Sequence, residues 1–120
     1  MRGPLIMKGY WRNPEATDKA IIDGWLHSGD LGYAGERGNL FIVDRLKDMI
    51  ISGGENVYSV EVESAIRELE QVADVAVIGL PDEKWGEAVH AFVVLAEGAS
   101  LGEDEVIAHC RATIGGFKVP

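Results

Sequence analysis

Two apolar runs, Val72 to Leu80 and Ala88 to Leu95, flank the turn residues Pro81-Asp82. Each carries apolar side chains on both faces, so each reads as a strand to be covered on both sides. The flanking sequence supplies the cover. Val62, Ala65, Ile66 and Leu69 repeat at helical spacing behind Ser59, which is placed to cap a helix running to about Leu69. Ser100-Leu101-Gly102-Glu103 has capping-box spacing ahead of a second helix ending near Gly115-Gly116. With Met49 to Ser52 as a further strand, the order is strand, helix, strand, strand, helix. That order predicts an α+β fold, a small mixed sheet with helices on one face.

The chain before residue 45 has shorter, glycine-punctuated elements. Asn13-Pro14-Glu15 predicts a helix over 14–21, with Asn13 capping free amides, Pro14 in the first turn and Glu15 at the positive dipole end. Asp23-Gly24 ends it. Trp25-Leu26 begins a strand that stops at His27-Ser28-Gly29-Asp30, and Asn39 to Val43 form another after the Glu36-Arg37-Gly38 turn. At the far end, Phe117-Lys118-Val119-Pro120 is expected to lead into extended chain, because a residue before proline avoids the helical region. Leu5-Ile6-Met7 likewise reads as the inside of a strand.

Charge excludes one class of partner. Asp and Glu outnumber Lys and Arg 20 to 11, for a net charge of -9, which opposes contact with the phosphates of DNA or RNA. No apolar run approaches the ~18 to 20 residues of a membrane span. The lone Cys110 permits no internal disulfide and fits a cytoplasmic setting. It lies in an apolar helical pattern and is expected in the core, with His109 pointing about 100° away on the same helix.

Two stretches carry chemistry. In GWLHSGDLG, Asp30 sits at a glycine-bounded strand end, where a carboxylate can accept from vicinal hydroxyls such as a ribose diol; the alternative is an ordinary Gly-Asp turn. His27 has no partner and reads as structural. In VDRLKDMIISGGENVYSVEVE, Arg45 can fork onto a phosphate or ribose oxygen, and Gly53-Gly54 admits either a close ligand or a left-handed turn. A hairpin with a solvated charge cluster is equally compatible with this second stretch. It lacks the lysine and spacing of a P-loop.

Taken together and in order, MKGYWRNPEAT, GWLHSGDLGY, VDRLKDMIISGGENVYSVEVE and VAVIGLPDEKWGEAVHAFVV resemble the C-terminal quarter of the AMP-forming acyl-CoA synthetases, in the adenylate-forming superfamily. In such enzymes a large domain activates a carboxylate with ATP, and a small C-terminal domain then rotates so that CoA displaces AMP. The resemblance implies that residues 1–44 are the tail of the large AMP-binding domain and 45–120 a small domain ending short of the catalytic-lysine motif. It implies AMP contacts from Asp30, Ile42 and Arg45, a hinge at Lys47, and a CoA channel lined by Ser52, Gly53, Gly54 and Glu55. It implies ATP with Mg, CoA and a carboxylic acid as ligands of the intact enzyme. Neither a bound ligand nor catalysis is expected of this segment alone.

The departures sharpen the resemblance. Luciferases and plant coumarate ligases place lysines where this chain has Ile51 and Gly53, so ISGGEN favours a fatty or aryl acyl-CoA ligase. Ser59 stands where proline is frequent, and Leu46 where a second lysine is common. A stand-alone interaction module using the same α+β unit is the competing reading. Without the large domain, Trp11, Trp25, Leu26, Leu40 and Phe41 would lie open, so the isolated chain is expected to form a homo-oligomer.

Overall fold

The computed structural model describes residues 1–120. Helix α1 spans Pro14–Ala20, and Asn13 Oδ1 accepts from the Ala16 amide at 3.0 Å, the cap that the sequence predicts. The helix stops one residue early because Ile21 turns extended. Strands β1 (Ile21–Ile22) and β2 (Trp25–Leu26) pair across Asp23-Gly24, whose φ angles of 50° and 77° form a tight hairpin turn.

Strand β3 (Asp30–Ala34) lies where the sequence reading stops a strand at Asp30, and it pairs antiparallel with β4 (Leu40–Arg45). Gly32 is required there, since a Cβ on it would stand 2.6 Å from the Phe41 carbonyl oxygen. Stacking of Tyr33 on Phe41, with ring centroids 5.0 Å apart, holds the far end of this hairpin.

The remaining elements form the α+β unit: β5 (Ile50–Ser52), β6 (Glu55–Val57), α2 (Ser59–Arg67), β7 (Val72–Asp82), β8 (Gly86–Leu95) and α3 (Glu103–Thr113). The sheet order is β6-β5-β8-β7, with antiparallel neighbours. Val62 and Ile66 of α2 and Val106 and Cys110 of α3 close over Ile50, Val57, Val75, Val77 and Val89 to make the core. The opposite face of the two long strands is open. Phe92 and Val94 are 58% and 59% exposed, so the double-sided cover expected from the sequence is realised on one face only.

Other expectations are corrected in detail. Pro81 lies inside β7, an edge strand that tolerates its missing donor, and the turn comes after Asp82. Asp82 Oδ1 organises that turn by accepting from the amides of Lys84 and Trp85 at 2.9 and 2.8 Å. The cap residue of α2 is Tyr58, not Ser59, and α2 ends at Arg67 rather than near Leu69. The cap of α3 is Gly102 rather than Ser100, with the Gly102 amide donating to Glu105 Oε2 at 2.8 Å. After α3 the chain makes a 3-10 turn over Gly116–Lys118, and extended backbone begins only at Val119. Leu5-Ile6-Met7 forms no strand.

Every buried apolar side chain belongs to residues 50–110. The radius of gyration is 18.2 Å, against about 14 Å for a compact chain of this length, so the N-terminal hairpins extend away from the core. Trp11 and Leu40 are 86% and 76% exposed, and Trp25 and Phe41 are about half exposed. No helix is long and apolar enough to cross a membrane.

Candidate functional site

The β3–β4 hairpin places Asp30 and Arg45 directly opposite one another, with Arg45 Nε 3.9 Å from Asp30 Oδ1. Both side chains reach solvent, so the pair is loose and free to turn toward a ligand. The ladder runs Asp30↔Arg45, Leu31↔Asp44, Gly32↔Ile42, which leaves Val43 as an extra residue. Side chains of opposed residues share a face, and Asp30 and Gly32 share one by alternation. The bulge therefore brings Ile42 onto the face of Arg45, which a regular strand would not do for residues three apart. One face of the hairpin end thus presents a carboxylate acceptor, a guanidinium and an exposed branched apolar side chain. That set can accept from a diol, ion-pair with an anion and pack on a flat ring.

Lys47 lies in the turn between β4 and β5, closed by the Asp48 amide donating to the Arg45 carbonyl at 3.0 Å. Its ammonium points to solvent, 3.7 Å from its neighbour Asp48. Ahead of it, the Leu46 amide donates to the Gly29 carbonyl at 2.7 Å, tying the end of the exposed hairpin. The segment carrying Lys47 is the covalent link between that hairpin and the α+β core.

Ser52, Gly53, Gly54 and Glu55 form the tip of the β5–β6 hairpin, where Gly53 and Gly54 have φ of 60° and 86°. These left-handed angles explain the glycine pair as a turn requirement. Ser52, Gly53 and Glu55 also form one end of a cleft of ≈ 830 Å³ that continues past Val89 and Ala91 toward α3 and Phe117. Gly54 does not line it. Trp85, to which the sequence reading gives no role, is built into this end: its carbonyl accepts from the Gly53 amide at 2.8 Å, and Lys84 Nζ lies 4.3 Å from the centre of its ring. The signal available in sequence was a tryptophan in a polar turn.

The other reactive side chains stand apart. Cys110 is fully buried, and burial pushes its thiol up. His109 Nε2 faces the Ala65 carbonyl at 2.8 Å and Glu68 Oε2 at 3.5 Å, so it offers Cys110 no base. His27 is exposed. No three metal-ligating side chains cluster together.

Residues 61–120 match the profile of the AMP-binding enzyme C-terminal domain. The chain is 53% identical over 121 residues to a methyl-dioxo-octahydro-indenyl propanoyl:CoA ligase of Rhodococcus jostii, covering 100% of this chain and 24% of that protein. It is 48% identical over 120 residues to a long-chain-fatty-acid–CoA ligase of Bacillus subtilis, covering 100% of this chain and 21% of that one. Among solved structures, o-succinylbenzoate CoA synthetase of Bacillus subtilis with its acyl-adenylate intermediate superposes with a TM-score of 0.91 at 39% identity, over 99% of this chain and 24% of that one. A fatty acyl CoA synthetase of Mycobacterium tuberculosis, at 47% identity and the same coverage, superposes with a TM-score of 0.66. The chain thus spans about a quarter of the length of the proteins it matches.

Proposed function

This chain belongs to the AMP-binding enzyme C-terminal domain family, whose members include adenylate-forming acid–CoA ligases, and on that premise we propose that it acts as the hinge-bearing part of such a ligase. The observation that carries this reading is the shared face of Asp30, Arg45 and Ile42. Asp30 accepts from the ribose hydroxyls of the adenylate, Arg45 meets its ribose and phosphate oxygens, and Ile42 packs beside it. Residues 1–44 are the tail of the adenylate-binding domain, and 45–120 belong to the small domain.

Lys47 is the hinge, acting through its backbone torsions. The two superpositions support this: relatives of similar identity, matched over the same share of the chain, agree to very different extents, as two rigid parts in different relative orientations would. Ser52, Gly53, Gly54 and Glu55 then form the loop beside which pantetheine passes when the small domain turns. ATP with its Mg ion, and CoA, complete the ligand set of the intact enzyme in this reading. The proposed acid is a fatty acid, supported by the Bacillus relative, while Ile51 and Gly53 in the loop favour a fatty or aryl acid alike. The proposed setting is the cytoplasm.

A graft tests the reading inside a full-length relative. Residues 1–120 replace the matched segment of the Bacillus subtilis long-chain-fatty-acid–CoA ligase, and acyl-adenylate and acyl-CoA formation are assayed with acids of several chain lengths. Both half-reactions are expected in the graft. Asp30→Ala should weaken AMP binding about tenfold, since hydrogen bonds to a charged acceptor contribute roughly 1.5 to 3 kcal/mol. Lys47→Pro should impair one half-reaction far more than the other. A folded graft that forms neither product overturns the reading.

A further inference from the structure

Asp44 is the sole buried residue before Ile50, with 6% of its surface exposed. A buried carboxylate requires donors. One is the next residue's amide, Arg45 N, at 2.7 Å; the other is the Ser59 hydroxyl, 3.2 Å from Oδ2 and 3.4 Å from Oδ1. Ser59 opens α2, whose cap residue Tyr58 supplies no side-chain hydrogen bond. Asp44 therefore places a negative charge at the positive end of α2 from a different strand. The contact is long-range, and its two residues lie on opposite sides of Lys47 in the chain.

We propose that the Asp44 carboxylate and the Ser59 hydroxyl form a latch across the Lys47 hinge, positioning Arg45 opposite Asp30 and favouring one orientation of the two parts of the chain. The inference rests on the hinge reading above. Asp44 is paired with Leu31 in the β3–β4 ladder, so it moves with the exposed hairpin. Ser59 contributes to the buried surface of α2, so it moves with the core. A rotation about the segment between them separates carboxylate from hydroxyl, and the bond is retained in one orientation only. Because the carboxylate also accepts from the Arg45 amide, the latch fixes the backbone from which the Arg45 guanidinium extends. Asp44 and Ser59 are positioning residues that touch no ligand. A hydrogen bond to a charged acceptor is strong enough to shift an orientational equilibrium about tenfold.

The test uses the whole chain with spin labels on cysteines placed at Arg37 and Glu97, both exposed loop positions on the two sides of the hinge, while Cys110 stays buried and unlabelled. The distance distribution between labels is measured for the unsubstituted chain and for Ser59→Ala, Ser59→Pro and Ser59→Thr. Proline is suited to the first turn of a helix, so Ser59→Pro removes the hydroxyl while keeping α2. Ser59→Thr keeps the hydroxyl. One dominant distance is expected for the unsubstituted and Thr chains, with a second population raised about tenfold in the Ala and Pro chains. Adding Lys47→Pro separates the two ideas: a second population that disappears supports latch and hinge together, and one that persists supports the latch while moving the hinge off Lys47. Distributions in Ser59→Ala and Ser59→Pro that match the unsubstituted chain, with α2 intact by circular dichroism, overturn the latch.

Discussion

Gly53 packs against the indole of Trp85 so closely that a Cβ on Gly53 would stand 2.9 Å from the ring. Its neighbour Gly54 has a similar left-handed φ but open space where a Cβ would go. The hairpin turn needs both glycines for their torsions, and the Trp85 contact adds a second demand on Gly53 alone. Gly54→Ala should cost about 1 to 2 kcal/mol of stability, the penalty for an L-residue in that region. Gly53→Ala should cost more, because the ring must also shift. In a Trp85→Ala background the two substitutions should cost the same. Denaturant titration of the three single and two double variants measures this, and equal losses with Trp85 present would refute the contact's role.

Lys118 secures the last turn to α2. Its ammonium donates to both Glu61 oxygens at 2.6 and 2.7 Å, and its side chain is only 20% exposed, unlike those of the loose surface pairs. A half-shielded pair of this geometry reaches the upper end of the surface range, about 1 kcal/mol. Glu61→Gln should therefore speed hydrogen exchange at the Lys118 amide, bonded to the Gly115 carbonyl at 2.9 Å, by about fivefold. Unchanged exchange would mean that the pair does not hold the turn.

Cys110 should be silent to thiol reagents in the folded chain and reactive once unfolded. Burial raises its pKa, so the folded state retains a proton that the unfolded thiol gives up near its ordinary value of about 8.5. Its contribution to stability is present below that value and declines as pH rises through the raised folded one. Cys110→Ala should flatten the alkaline loss of stability. A free-thiol titration showing rapid labelling of native protein at neutral pH would contradict the burial.

What the sequence disclosed, and what it withheld, follows from the range of the interactions concerned. The α2 periodicity of Val62 and Ile66, the Asn13 cap and the Asp23-Gly24 turn are local, and each is found where local rules put it. Strand β3 was hidden because Asp30–Ala34, DLGYA, has too little apolar alternation to stand out, and it forms because β4 is there to pair with it. The same holds at the candidate site. Asp30 and Arg45 were legible as residue types, but their opposition is a matter of register, and the arrival of Ile42 on their face depends on a bulge. Ser59 looked like a local cap, yet its hydroxyl serves a carboxylate fifteen positions away. Trp85 became visible as a wall of the cleft only when β5 and β8 were side by side.

The open face of β7 and β8 leads to a last expectation. Ile78, Phe92 and Val94 share that face by the strand register, at 43%, 58% and 59% exposure, and no element of this chain covers them. Two copies meeting there would remove on the order of 400 Å² of apolar surface, worth about 10 kcal/mol at ~25 cal/mol per Å². Lost translational and rotational freedom costs roughly 4 to 15 kcal/mol, which at its lower end leaves about 6 kcal/mol, so a weak dimer with a Kd of at best tens of micromolar (roughly 40) is expected. The net charge of -9 on each copy opposes it, and salt screens that repulsion. Association should thus strengthen from low to moderate salt and weaken in Phe92→Lys. Light scattering giving a monomer mass at several hundred micromolar chain and moderate salt would defeat the expectation. Association that weakens with salt, or is indifferent to Phe92→Lys, would place the contact on a charged or different surface.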